Sequence, residues 1–205
     1  VGDLIGELKK RLDDTNEKII RTTLSLLCLI ASSMGSAVDK YSKIIMSAVV
    51  SKLFDAKKAV RTSALESIEA WAKETGLGPL IKYFPKAFSN EKGNPEGRKD
   101  TLQFMAKFAE TVKTRQVDNV LPIVPMIIDG LQDPKSETRK IAESLIAFAA
   151  TQVGPEPLKK ACRDLKNAIR ETVSPIVEKN LAAFNNAASS MMDVTMMDAT
   201  SSVNN

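Results

Sequence analysis

One spacing governs this sequence: Leu-x-Asp, followed six or seven residues later by Arg. It occurs as Leu12-x-Asp14 with Arg21, Leu53-x-Asp55 with Arg61, and Leu131-x-Asp133 with Arg139. The step from Asp14 to Asp55 is one period, and the step from Asp55 to Asp133 is close to two. The skipped copy falls at Asn94-Pro95-Glu96-Gly97-Arg98, a turn followed by a basic helix start. A second marker fixes the same register, because Gly35, Gly76 and Gly154 each follow their aspartate at one and the same offset. A period near 40 marks a repeat protein, whose units bury their apolar sides only against their neighbours.

Each unit reads as a helical hairpin. Asp55-Ala56-Lys57-Lys58 interrupts one helix and opens the next, with Asp near the N-cap where it can accept from free backbone N–H groups. The following stretch, 58–75, carries Val60, Ala64, Leu65, Ile68 and Trp71 at helical spacing. Gly76 then stands where a helix ends in a left-handed residue, and a proline follows soon after in Gly78-Pro79 and Gly154-Pro155. Composition agrees with packed helices: only nine Gly and nine Pro in 205 residues, and 5% aromatic residues. The expected fold is an all-α solenoid of about five HEAT-type hairpins, over 3–34, 37–75, 78–112, 116–153 and 155–184. A sixth unit before the first would cover the stripe Leu4, Ile5, Leu8 and Leu12.

The third unit departs from the pattern. Its first helix is short and contains Pro85, and its loop, 89–94, is long. Pro122 and Pro125 lie early in the fourth unit's first helix, and Pro175 is expected to bend the last one. Residues 1–184 form the repeat domain. After Phe184 the composition turns to Asn, Ala, Ser, Met, Asp and Thr, with Met191-Met192-Asp193 and Met196-Met197-Asp198 as matching steps. Residues 185–205 therefore read as a separate tail, either mobile or docked through its Met pairs in a groove of this or a neighbouring molecule.

The chain has no histidine, which removes Ser-His-Asp and Cys-His catalysis, imidazole metal sites and a histidine pH switch. The carboxylates Asp13, Asp14, Glu66, Glu69 and Glu171 sit among polar helix positions, where a solvated surface is the ordinary role. Gly93-Asn94-Pro95-Glu96-Gly97 lacks the preceding strand and the Gly-Lys-Ser/Thr end of a phosphate loop. No catalytic residue, cofactor or metal is expected, so the protein is read as a non-enzyme. Cys28 and Cys162 read as buried, reduced thiols of a cytosolic protein. No apolar run approaches the roughly 20 residues that span a bilayer, and Val1 suggests a piece of a longer chain. The net charge is +4, mild and interspersed where a nucleic-acid binder concentrates a larger excess on one face; an acidic protein surface is at least as good a partner as phosphate, a neutral reading stays open, and nucleic acid is not the expected partner.

Stacked in register, the turns within the hairpins line one edge of the solenoid. They hold Asn16 and Lys18; Lys57 and Lys58; Lys92, Asn94, Arg98 and Lys99; Lys135, Arg139 and Lys140. That edge should present a ladder of cations roughly 10 Å apart, the packing distance of helices. The opposite edge, around Gly35, Gly76 and Gly154, is less basic. Asp14, Asp55, Arg61, Asp133 and Arg139 are expected to pair along the ladder as structural residues, leaving the lysines as contact candidates. Trp71, Phe104, Phe108 and Phe148 lie on apolar stripes and are expected in the core.

The run from Leu53 through Leu65, with Glu69-Ala70-Trp71-Ala72-Lys73-Glu74-Thr75-Gly76, resembles the middle of a TOG domain. Asn94-Pro95-Glu96-Gly97-Arg98-Lys99 is similar to the opening of the next TOG unit, and Leu131-Gln132-Asp133-Pro134-Lys135 to the one after. The resemblance covers residues 3–184 and points to the tandem-TOG microtubule polymerase family, more to a later module than to the first two. It implies a flat HEAT array whose intra-repeat loops, here 16–18, 56–58, 90–94 and 134–136, bind the αβ-tubulin dimer or the microtubule end. It also implies sister TOG modules in the same chain and a place in the cytoplasm on microtubules, spindle or centrosome. Such modules usually have six repeats and a tryptophan in the first loop, which no unit here supplies. The rival reading is a HEAT scaffold for another protein, of transport-receptor or phosphatase-scaffold type.

Overall fold

The computed structural model describes residues 1–89, 94–112, 114 and 117–201, with side chains through residue 185. Five helical hairpins follow one another as the repeat predicts, and no strand occurs among the described residues. The first consists of α1 (Gly2–Leu12) and α2 (Glu17–Met34). A 3-10 turn, Gly35–Tyr41, leads into α3 (Ser42–Ser51), and a second, Lys52–Phe54, precedes α4 (Lys58–Thr75).

Proline divides the first helices of the next two units. In the third, Pro85 starts a new helix instead of kinking an old one, giving α5 (Gly78–Ile81) and α6 (Phe84–Phe88) before α7 (Pro95–Thr111). In the fourth, α8 (Val117–Val120), a 3-10 turn containing Pro122, and α9 (Val124–Gly130) precede α10 (Ser136–Val153). Each proline takes an opening position, where its missing N–H has no helical partner to lose. The fifth hairpin is α11 (Pro155–Arg163) and α12 (Asn167–Ser201). α12 contains Pro175 and passes the compositional boundary at 184/185 as helix, where the sequence pattern had marked off a tail.

The three register glycines end the second helices as expected. Gly35, Gly76 and Gly154 have φ of 57°, 77° and 79°, a region that costs any residue with a Cβ.

Second helices pack side by side, α2 on α4, α7 on α10 and α10 on α12, while α1 lies on α3 and α9 on α11. The exception is α4 and α7, which scarcely meet along their lengths. α7 instead leans on the 3-10 turn at Lys52–Phe54 through Gly97, where a Cβ would lie 2.2 Å from the Leu53 carbonyl oxygen.

One continuous core runs through the stack, with Leu24, Leu53, Ile68, Phe84, Leu102, Ile127 and Ile146 among its buried members. Trp71 is fully buried, as its stripe implies, and its indole N–H donates to Ser42 Oγ at 2.9 Å. Phe104, Phe108 and Phe148 are only half-buried, a correction to their expected place inside the core. Of the N-terminal stripe, Ile5, Leu8 and Leu12 are buried, whereas Leu4 is exposed. The other side of α2 exposes Ile19, Leu26 and Leu29. Cys162 is buried and Cys28 half-buried; both are free thiols, pushed above the usual cysteine range chiefly by burial.

The stretch Glu17–Phe54 is long and apolar enough to span a membrane by length and composition, contrary to the sequence expectation. It turns at Gly35, however, and α2 gives Ile20, Leu24, Leu27 and Ala31 to the core.

Candidate functional site

The loops within the hairpins are built on one local device. Asp14 Oδ1 accepts from the Asn16 N–H, Asp55 Oδ1 from Lys57 N–H, and Asp133 Oδ1 from Lys135 N–H, all at 2.8–2.9 Å. Asn94 takes the same place in the third unit, its Oδ1 accepting from Glu96 N–H at 2.9 Å. A short side chain that accepts two residues ahead closes a turn without help from the rest of the fold. Asp14, Asp55, Asn94 and Asp133 follow one another at steps of a single period, so the skipped copy of the motif is Asn94 itself.

The motif arginines do not pair with the aspartate carboxylate of their own loop. Arg61 donates through Nη1 to the carbonyls of Asp55 and Ala56, and Arg139 to those of Asp133 and Pro134. Each guanidinium thus pins its loop by the backbone, which corrects the expected Asp–Arg ladder. In each case the two hydrogens of one terminal nitrogen, Nη1, serve the two neighbouring carbonyls.

Between units the contacts recur at the repeat distance. Arg61 Nε donates to Asp100 at 3.1 Å and Asn94 Nδ2 to the Asp55 carbonyl at 3.3 Å, each one unit along the chain. Lys52 meets Asp13 at 3.5 Å, Lys57 meets Glu17 at 3.4 Å, and Lys99 meets Glu137 at 3.3 Å. Lys135 pairs with Glu96. The edge is therefore a row of alternating charge rather than the expected row of cations. Glu96, bonded first to Lys135 and then to Lys99, is held below the usual carboxylate range; the bonds to Glu96 and Glu137 raise Lys99.

Arg98 needs the largest correction. Expected as a contact residue, it lies beneath the edge, its side chain only 16% exposed. It donates to Asp133 at 2.6 Å, to Asp129 at 3.1 Å and to the Phe88 carbonyl, with its guanidinium 4.2 Å from the centre of the Phe88 ring. Asn94 is likewise occupied by structural bonds. Asn16 is exposed but caps α2, accepting from Lys18 N–H. Lys92 lies outside the described residues.

Lys18, Lys58 and Lys140 remain exposed, with no ion-pair partner for their ammonium groups among the described residues. Lys57 and Lys135 stay partly exposed while paired. The arrangement offers binding: cations on a loop edge whose spacing is locked by hydrogen bonds between units.

From residue 8 to residue 174 the sequence matches the profile of the CLASP N-terminal domain. The chain belongs to this family. Rice (Oryza sativa subsp. japonica) Protein MOR1 is 32% identical over 163 residues, 80% of this chain and 8% of MOR1. The CLASP N-terminal-type domain thus spans about a twelfth of that relative's length. Among solved structures, it superposes with a TM-score of 0.64 and 16% identity on a TOG-domain array of microtubule polymerases described as recruiting and assembling tubulin. That match covers 87% of this chain and 37% of the other. A TOG domain of Crescerin, whose array is described as regulating microtubules in the primary cilium, gives 0.63 at 19% identity over 87% of this chain and 74% of the other. The fold of this CLASP N-terminal family member is that of TOG domains.

Neither the residue types nor their order exposed Asp100, Asp129, Glu17, Glu96 and Glu137 as the groups that occupy the cations. Opposite charges one period apart were the available signal, visible once the repeats are written beneath one another.

Proposed function

We propose that this chain is a non-enzymatic tubulin-binding module of a longer microtubule-regulating protein, acting on the cytoskeleton and spindle alongside sister modules. The observation that carries the reading is the loop edge: Lys18, Lys58 and Lys140, near the starts of α2, α4 and α10, have no ion-pair partner among the described residues, and the loops beside them are tied between units by contacts such as Arg61–Asp100 and Asn94–Asp55. Tubulin is acidic, and a rigid row of cations favours fast, salt-sensitive encounter with an acidic partner. Lys57 and Lys135 add to it while also joining units. Rigid spacing would favour one curvature of tubulin over another, and so the microtubule end over the lattice. The TOG-array neighbour described as recruiting tubulin supports the choice of partner.

The test is tubulin binding by the wild type and by Lys18→Glu/Lys58→Glu/Lys140→Glu, at low and moderate salt. The expected outcome is binding by the wild type that weakens with salt and falls at least about tenfold in the variant. Equal binding by both would remove the site, and no binding by the wild type would remove the function.

A further inference from the structure

The first helices of the second and third units, α3 and α6, pack side by side and leave a narrow groove of roughly 220 Å³ on their exposed side. Ser47 and Ser51 of α3 form one wall. Lys82 and Tyr83, in the turn before α6, and Lys86 within it form the other. Lys43 stands exposed one turn before Ser47, in the same row. Unlike the loop edge, this groove is lined by no carboxylate among the described residues. Lys43, Lys82 and Lys86 have no ion-pair partner there either. The nearest acidic side chain along α3, Asp39, accepts from Ser42 Oγ at 3.2 Å, and Lys52 beyond Ser51 is engaged by Asp13. Lys82 is held over the Tyr83 ring, its Nζ 5.4 Å from the centre.

We propose that this groove binds an extended, Glu- or Asp-rich peptide segment of a partner protein. Its polar groups are donors: three ammonium groups, and the hydroxyls of Ser47 and Tyr83, which have no hydrogen-bond partner among the described residues. Ser51 alone spends its hydroxyl internally, on the Ala48 carbonyl. An ionised carboxylate only accepts, so a row of them complements such a wall. From Lys43 to Ser51 the row runs about 12 Å along α3 at 1.5 Å per residue. At about 3.3 Å per residue, roughly four residues of extended chain lie along it. Nucleic acid fits less well, because Lys82 covers one face of the aromatic ring on which a base would stack. A membrane surface fits less well too, since Ile44 is the large apolar side chain that α3 exposes. The groove is distinct from the loop edge, whose lysines at 18, 58 and 140 stand on second helices.

Fluorescence anisotropy of the full chain with a labelled hexaglutamate peptide tests the proposal, with hexaglutamine and a short single-stranded DNA as control probes. Protein is raised to roughly 1 mM, where weak sites fill, at about 50 and 200 mM salt. The wild type is expected to bind hexaglutamate, more weakly at the higher salt, and not hexaglutamine. Lys82→Glu/Lys86→Glu should weaken this at least about tenfold and Lys43→Glu about threefold. Lys18→Glu/Lys58→Glu/Lys140→Glu should bind the peptide to within about twofold of the wild type. That variant removes more positive charge than the groove variant, so attraction by net charge alone would reverse the order. Thermal melts of every variant confirm that the fold is kept. No binding of hexaglutamate by the wild type, equal binding of hexaglutamine, a groove variant that binds like the wild type, or a larger loss in the loop-edge variant would each overturn it. So would tighter binding of the DNA that is lost in the groove variant, which would make the groove a nucleic-acid site. The loop-edge variant tests tubulin binding and the groove variant tests this site, so the two readings fail separately.

Discussion

Arg61 and Asp100 occupy the same position in successive repeats, and their side chains meet, Nε to Oδ2, at 3.1 Å. One repeat further on, that position is Arg139. The third unit therefore inverts the sign of the motif, and the carboxylate it introduces reaches the arginine of the unit before. Arg61 is 5% exposed and holds its own loop by two carbonyls as well, so one side chain fixes both a loop and a joint between units.

Arg61→Ala should accordingly destabilise the protein by about 2–4 kcal/mol, since it strands three acceptors at once. Asp100→Asn keeps a hydrogen-bonding oxygen and should cost about 1 kcal/mol. Urea denaturation of the three proteins measures this. Equal loss from both substitutions would mean that the carbonyl contacts of Arg61 contribute nothing.

Gly97→Ala should also be destabilising, although alanine favours helix by about 1 kcal/mol over glycine. The added Cβ would sit 2.2 Å from the Leu53 carbonyl oxygen and 2.9 Å from the Phe54 Cα, backbone atoms that cannot step aside. A net loss of about 2–3 kcal/mol is expected, read as a lower thermal midpoint. A gain in stability would show that α7 can lift away from the turn at Lys52–Phe54.

The parts of the fold legible in the sequence are those set within one loop. Asp14, Asp55 and Asp133 close their turns locally, and Gly35, Gly76 and Gly154 take φ values that other residues resist, so both leave fixed marks in the chain. The state of the cations was not legible in the same way, because it depends on what the next unit brings. Arg98 looks like the basic start of a solvated helix until α9 and its following turn supply Asp129 and Asp133. The splay between α4 and α7, which leaves Phe104 and Phe108 half-exposed, depends on how α7 sits on the turn at Leu53 and has no periodic signature.

The pH response of the edge follows from its directions of shift. Glu96 is held below the usual glutamate range, so its contribution is present above the unfolded value of about 4.3 and lost as pH falls through the folded one. Lys99 is raised, so its contribution holds below the unfolded value of about 10.4 and is lost only as pH climbs through the folded one. With no histidine in the chain, the edge should keep its charge pattern, and tubulin affinity its value, between about pH 6 and 8. A titration of binding checks this. A step near pH 6.5–7 would have to come from tubulin, and would persist when the same edge is presented with Lys18, Lys58 and Lys140 intact but Glu96 replaced.

Glu96→Gln makes the sharpest separation between the structural and binding roles of the edge. Glu96 engages both Lys135 and Lys99. Removing its charge releases Lys135 and leaves Lys99 with Glu137 alone, while the amide keeps the size of the side chain. Exposed pairs of this kind contribute little to stability, so the thermal midpoint should hardly move. Tubulin affinity should rise by about twofold to fivefold and become more salt-dependent, because one more cation faces the acidic partner. Lys135→Glu should do the reverse and weaken binding. If Glu96→Gln instead lowers affinity, the glutamate makes its own contact with tubulin or positions Lys135 for one, and the alternation of charge along the edge is then part of recognition rather than a restraint on it.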